Sequence, residues 1–220
     1  MMIYFAKTQP GPTQALRAQQ ASGSTNCDIA GVRSQLESDF YDKCYICGFE
    51  SSSMRIEHFR PHLSDRDRMF DWNNLFYACE HCNSLKGSSY TGLLDCTHTT
   101  KIDDLIEFKY DPTKPIRKKI TITDIGSNSP DTVELIQVVF SAQNTPTKKA
   151  GAKLLERKLS IALRDFQKVV AQYNKNQSPA NEALLRHEVN NQSEFAAFKR
   201  WMVKFSPQNY PVQLRSWFVD

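Results

Sequence analysis

Four cysteines fall into two C-x-x-C pairs, Cys44/Cys47 and Cys79/Cys82, which are separated by 31 residues. Each pair can direct two thiolates at one ion, and four thiolates form a tetrahedral zinc site. A redox C-x-x-C needs only one pair and a βαβ context, and neither condition fits this chain. The spacing therefore predicts a structural Zn²⁺ bound by all four residues, with Cys27 and Cys96 left as buried or idle thiols.

A carboxylate and a histidine stand side by side in the stretch RIEHFRPH, residues 55–62. Hydrolysis of a phosphodiester needs a general base, a divalent metal and a group that fixes the tautomer of the base. His58 is suited to be that base, because a neutral imidazole titrates near working pH. Glu57 precedes it on a predicted strand, where neighbours face opposite ways. We therefore expect a bend or bulge at Phe59 and Pro61 to bring the two side chains together.

The elements that must position these residues lie between Lys43 and about residue 95. CYICGFESSSMRIEHF predicts a strand, a Ser-rich turn and a second strand, and LFYAC predicts a short apolar strand. EHCNSLKG predicts a short helix that Gly87 closes. A unit this small needs its metal for stability, so the sequence predicts a zinc-stapled ββα module.

The segments CYIC, IEHFRP and WNNLFYACEHCNSLKG together resemble the HNH endonucleases, the ββα-metal class. More narrowly, the EHFRP box followed by DWNNL and the second cysteine pair resembles the PtuB-like HNH subunit of Septu-type and retron-associated anti-phage defence systems. This resemblance covers roughly residues 43–88. It implies a metal-dependent DNA endonuclease, and a Septu-type system also implies a partner ATPase subunit, since this chain has no P-loop of its own.

The resemblance also assigns roles to individual residues. It implies that Glu57 and Asn83 bind the catalytic metal and that Asn74 hydrogen-bonds and orients His58. Oxygen ligands suit Mg²⁺ or Mn²⁺ better than zinc. The family usually carries a histidine where Asn83 stands, and Asn73 is a lower-ranked competitor for the role of Asn74.

Two cations near the motif are candidates for contact with nucleic acid. Arg60 and Lys86 are suited to clamp phosphates, although charged side chains are as often simply solvated. His62 and His81 are weaker candidates for contacts with metal, and the two cysteine pairs leave no zinc position for His81.

The rest of the chain predicts an α+β protein whose C-terminal half is helical. Residues 1–42 are expected to form an N-terminal arm and a short helix over 28–41, and residues 96–220 to begin with strands IEFKY and ITITDI. Apolar residues from Leu155 to Tyr173 follow one helix face. A linker over 174–181 then precedes a last helix with an apolar face from Phe195 to Phe205.

The charge is divided unevenly along the chain. The net charge is +4, but residues 1–111 carry a balance of −4 and residues 112–220 a balance of +8. A basic half beside a slightly acidic half suggests that the second half faces a polyanion, and the alternative is a solvated surface. No apolar run predicts a membrane span and no signal peptide is evident, so we expect a cytoplasmic protein.

These observations predict an HNH endonuclease that hydrolyses DNA. The alternative is a non-catalytic module whose zinc knuckles bind nucleic acid or a protein. Glu57, His58, Asn74 and Asn83 favour the nuclease, because a module that only binds has no need of a base.

Overall fold

A computed structural model describes residues 3–115 and 118–218 as a mixed α+β fold, which confirms the predicted fold class. Its helices and strands, in chain order, are α1 (Thr13–Ala21), α2 (Ala30–Asp39), β1 (Met54–His58), α3 (Arg66–Met69), β2 (Leu75–Cys79), α4 (Glu80–Lys86), α5 (Ile102–Leu105), β3 (Ile106–Tyr110), β4 (Ile120–Asp124), α6 (Pro130–Ser141), α7 (Pro146–Lys175), α8 (Pro179–Val189) and α9 (Ala196–Phe205).

The ββα unit forms where the sequence predicts it. β1 and β2 pair antiparallel, from Met54 opposite Cys79 to His58 opposite Leu75, and α4 follows β2 directly. Every residue of β2 is buried, as its apolar sequence requires. Gly87 ends α4 with a φ of 51°, a conformation that a glycine adopts without strain. The segment 44–47 forms a turn instead of the predicted strand.

The N-terminal segment is packed against this unit and is not a free arm. Ile3 and Phe5 are buried, and the Lys7 ammonium donates to the carbonyls of Trp72 and Leu75 at the start of β2. The Trp72 indole donates in return to the Thr8 carbonyl at 2.8 Å. The prediction of an arm rested on Pro, Gly and Gln content, which does not report these long-range contacts.

The second sheet pairs β3 with β4, and both strands match their predictions. The basic segment PIRKKI between them, residues 115–120, is predicted to form a turn and lies partly outside the described residues. Helix α6 packs on β4 and was not predicted, because its run of β-branched residues gives a weak helix signal.

Helix α7 is continuous and buries the predicted face, which includes Leu155, Phe166 and Tyr173. The last predicted helix is in fact two, because α8 ends at Val189 and α9 begins only at Ala196. Among the described residues, no helix is long and apolar enough to cross a membrane.

Candidate functional site

Four thiol groups converge where the turn after α2 meets the start of α4. The Sγ atoms of Cys44, Cys47, Cys79 and Cys82 all lie within 4.8 Å of one another, and all four residues are buried. The Cys47 and Cys79 sulfurs are 3.9 Å apart. Tetrahedral zinc with bonds near 2.3 Å needs sulfurs about 3.8 Å apart. The cluster therefore fits one zinc ion.

Local backbone geometry explains why the thiols meet. Gly48 has a φ of 66° and donates its N–H to the Cys44 carbonyl at 2.7 Å, which closes the first turn. Cys79 is the N-cap of α4, and its Sγ accepts from the Cys82 N–H at 3.5 Å. The turn from Cys44 to Gly48 and the first turn of α4 thus face each other, and each contributes two sulfurs.

Glu57 lies inside the protein, with both carboxylate oxygens engaged. Its Oε1 is 2.5 Å from the Lys86 ammonium, and its Oε2 accepts from the Tyr45 hydroxyl at 2.9 Å. Burial raises the pKa of Glu57 to about 7, although Lys86 and Tyr45 act in the opposite direction. The sequence did not single out Tyr45, whose place between the first two cysteines was its only signal.

Lys86 is placed differently from its predicted role. Its side chain is only 1% exposed, and its ammonium also donates to the His58 carbonyl at 2.9 Å. A buried cation held by a carboxylate is not available to a phosphate, so this placement disagrees with the predicted contact. Lys86 instead joins α4 to the end of β1.

Arg60 lies at the surface, and its predicted contact with a phosphate stays a prediction. It is exposed, and its guanidinium has no partner among the residues that the structure describes. It lines a groove of about 730 Å³ together with Arg17 and Asn74.

The imidazole of His58 is held by a backbone carbonyl. Its Nε2 lies 3.1 Å from the Met69 oxygen, and the Cys27 sulfur is 3.8 Å from the same nitrogen. A carbonyl can only accept, so the neutral ring carries its proton on Nε2 and leaves Nδ1 as the acceptor. Burial lowers the pKa of His58 below its ordinary value of 6.5, which keeps the ring neutral at pH 7.

Asn74 holds the backbone on both sides of this site by hydrogen bonds. Its Nδ2 donates to the carbonyls of Arg60 and Arg68 at 2.9 and 3.0 Å, and its Oδ1 accepts from the Arg60 N–H at 2.7 Å. The predicted direct hydrogen bond to His58 is therefore replaced by a clamp on the backbone beside Met69. Asn73 is exposed and bonds to Gln9, away from the clamp.

The strand does not bulge between Glu57 and His58. The β1–β2 register runs unbroken to His58, and the Phe59 N–H continues it by donating to the Asn74 carbonyl at 2.9 Å. The expected bulge is therefore absent from β1, whereas a bend does follow at residues 59–60, after both side chains. Asn83 lies on α4 one turn before Lys86, whose ammonium contacts Glu57.

A family model matches the segment that contains these residues. Residues 44–89 match the family model described as HNH endonuclease. The segment is therefore similar to the HNH endonucleases, and we refer to residues 44–89 as the HNH domain. The HNH domain contains all four zinc-cluster cysteines and the candidate residues Glu57, His58, Asn74 and Asn83. A search of curated proteins found no match to the chain. The HNH domain indicates a metal-dependent nuclease in general terms.

The two shifted pKa values predict how cleavage would depend on pH with Glu57 as a metal ligand and His58 as the general base, the roles proposed below. A carboxyl with a pKa of about 7 is half protonated at pH 7, and only its carboxylate form binds a divalent cation. At limiting Mg²⁺, cleavage should therefore fall as the pH decreases through 7. Saturating Mg²⁺ should move this fall to lower pH, until protonation of His58, whose pKa is below 6.5, limits the rate. Rate–pH profiles at two Mg²⁺ concentrations check this expectation, and identical profiles would contradict it.

Proposed function

We propose that the protein is a metal-dependent endonuclease that hydrolyses DNA phosphodiester bonds through its HNH domain. The observation that carries the proposal is the pairing of His58 Nε2 with the Met69 carbonyl. It leaves Nδ1 as a free acceptor on a neutral ring, which is the state that a general base requires. In this role His58 takes a proton from the attacking water at Nδ1.

The other residues of the proposed site orient His58 or bind the metal and the substrate. Asn74 acts as a positioning residue, because its clamp on Arg68 fixes the adjoining carbonyl that orients His58. Arg60 is the proposed contact for a phosphate of the substrate, because it is exposed two residues after His58. Glu57 and Asn83 are the proposed ligands for Mg²⁺ or Mn²⁺, which when bound offsets the negative charge that develops on the phosphate.

The donor set supports this metal assignment. A carboxylate and an amide oxygen are ligands that hard divalent cations prefer. In the absence of a metal, the Lys86 ammonium provides the positive charge that Glu57 needs. Both Glu57 oxygens are engaged and the side chain is only 4% exposed, so a bound cation would have to displace the Lys86 ammonium from Glu57.

The test is a divalent-metal titration of plasmid nicking by Glu57→Gln. The substituted amide keeps an acceptor for the Tyr45 hydroxyl but loses the charge that a metal needs. We expect the half-saturating Mg²⁺ or Mn²⁺ concentration to rise more than about tenfold, since changes even outside the ligand shell cost that much. Residual cleavage should return at high metal concentration.

Glu80→Gln is the matched control, because Glu80 opens α4 at the surface beside Arg55. It should leave the titration unchanged. If Glu57→Gln is folded and also titrates like the unaltered protein, Glu57 is not a metal ligand and its pair with Lys86 is structural. If no condition gives cleavage by the unaltered protein, the non-catalytic binding module becomes the better interpretation.

We further propose that this nuclease is the effector of an anti-phage defence system and works with a separate ATPase subunit. The support is the sequence resemblance to Septu-type HNH subunits over residues 43–88. Cells that express the protein with an ATPase encoded beside it should resist phage infection, and His58→Ala should remove that protection.

A further inference from the structure

Helix α7 carries a row of cations along the side that faces solvent. At about 100° per residue, the row falls within a sector of about 100°. Its members are exposed residues: Lys149, Lys153, Arg157, Arg164, Lys168 and Lys175. The buried face of the same helix, which includes Leu159 and Leu163, points the other way. We call this row the basic stripe.

Helix α7 accounts for the positive charge of the whole chain. It contains eight Lys or Arg against two Asp or Glu, a balance of +6, whereas the chain as a whole carries +4. All the other residues together therefore carry −2. The excess of positive charge in residues 112–220 therefore belongs mainly to α7.

This arrangement costs stability. Three pairs of like charge lie four residues apart, a spacing at which side chains are neighbours and repel: Lys149/Lys153, Lys153/Arg157 and Arg164/Lys168. Lys148 and Lys149 also lie in the first turns of α7, where the helix dipole disfavours cations. Lys168 is partly offset by Asp165 of the same helix, 2.7 Å away, whereas the other like-charge pairs of the stripe have no such pair described within α7; α8, by contrast, pairs Arg186 with Glu182 at 2.7 Å. A face that is merely solvated usually mixes the two signs.

We propose that the basic stripe binds the phosphate backbone of duplex DNA without reading its sequence. The stripe spans about 39 Å at 1.5 Å per residue, slightly more than one turn of the double helix. The stripe consists only of lysines and arginines. These residues contact phosphates, and such contacts do not distinguish bases. Both aromatic residues of α7, Phe166 and Tyr173, are buried, so the stripe has no ring on which an unpaired base could stack.

The stripe lies outside the HNH domain, on a helix that packs against it. A Cβ placed on Gly151 would lie 2.2 Å from the His81 Nδ1, so the glycine lets α7 approach α4 closely. His81 also places its Nε2 2.9 Å from the Val139 carbonyl of α6. DNA held by the stripe is thereby kept beside the domain that is proposed to cut it.

The experiment compares two double substitutions that remove equal charge from the full chain. Lys153→Gln with Arg157→Gln alters the stripe, and Lys114→Gln with Lys118→Gln alters exposed lysines elsewhere. Binding to a duplex of about two helical turns is followed by fluorescence anisotropy over a series of salt concentrations, without added Mg²⁺ or Mn²⁺. Binding is thus measured apart from cleavage, and its failure would leave the proposed nuclease untouched.

The stripe variant should bind at least about tenfold more weakly, and its slope of log affinity against log salt should decrease by nearly two, about 0.9 per lost phosphate contact. The control should keep both values. The stripe variant should also melt at the same temperature or higher, because like-charge repulsion is removed. Equal losses in both variants would assign the effect to net charge and overturn the proposal. So would unchanged DNA binding combined with loss of binding to polyglutamate, which would indicate an acidic protein partner.

Discussion

His58→Ala is expected to abolish plasmid cleavage at every concentration of Mg²⁺ or Mn²⁺. The substitution removes the proton acceptor, and a positioned general base contributes about 10²–10⁴-fold to rate. His58 is at the end of β1 and is only partly buried, so its loss should leave the fold and the zinc content intact. The variant should also keep its affinity for DNA. Cleavage rates, zinc analysis and anisotropy on the same preparation separate these effects.

His98→Ala is the matched control, because this imidazole is exposed and pairs only locally with Asp95. It should cleave as the unaltered protein does. Asn74→Ala should fall between the two variants, with its metal requirement unchanged and its rate reduced, because the carbonyl that orients His58 is released. Full activity in His58→Ala would remove the proposed mechanism and leave the binding module as the better interpretation.

The parts of the site that local spacing determines could be predicted from the sequence. Two residues between cysteines are enough to form a metal knuckle, and a short helix after Cys79 follows from its capping position and from Gly87. The apolar run of β2 and its pairing with β1 are equally local features. These elements place Glu57 and His58 on β1 and Asn83 on α4.

The contacts that hold the side chains of His58 and Glu57 are not local. The carbonyl that holds His58 belongs to Met69, and a backbone oxygen has no sequence signature. Tyr45 reaches Glu57 from the first knuckle only after the chain has folded. Lys86 looked like a surface cation because burial of a lysine depends on an anion that tertiary structure must bring to it.

The break between α8 and α9 shows the same limit. The residues from Phe195 to Phe205 share an apolar face, which predicted one helix well. The sequence does not report that Phe195 is left-handed, with a φ of 54°, or that its N–H donates to the Gly48 carbonyl in the first knuckle at 3.1 Å. A tertiary contact with the HNH domain thus accompanies the start of α9.

Cys79→Ser is expected to lose the bound zinc and, with it, the folded HNH domain. Structural zinc contributes about 10–16 kcal/mol in small zinc modules, which is comparable to the whole stability of a typical domain. Serine remains an acceptor for the Cys82 N–H at the N-cap, so the helix start is preserved and the effect reports the metal. The measurements are zinc content per chain, helix content and the pattern of limited proteolysis.

Cys96→Ser is the matched control. Cys96 is as deeply buried as the four clustered cysteines, but it lies outside the group whose sulfurs are within 4.8 Å of one another. It should therefore keep about one zinc per chain, although a buried hydroxyl can cost some stability. Zinc removal by a chelator should reproduce the proteolysis pattern of Cys79→Ser in the unaltered protein. A Cys79→Ser protein that is folded and active without zinc would show that packing alone holds the two cysteine turns together.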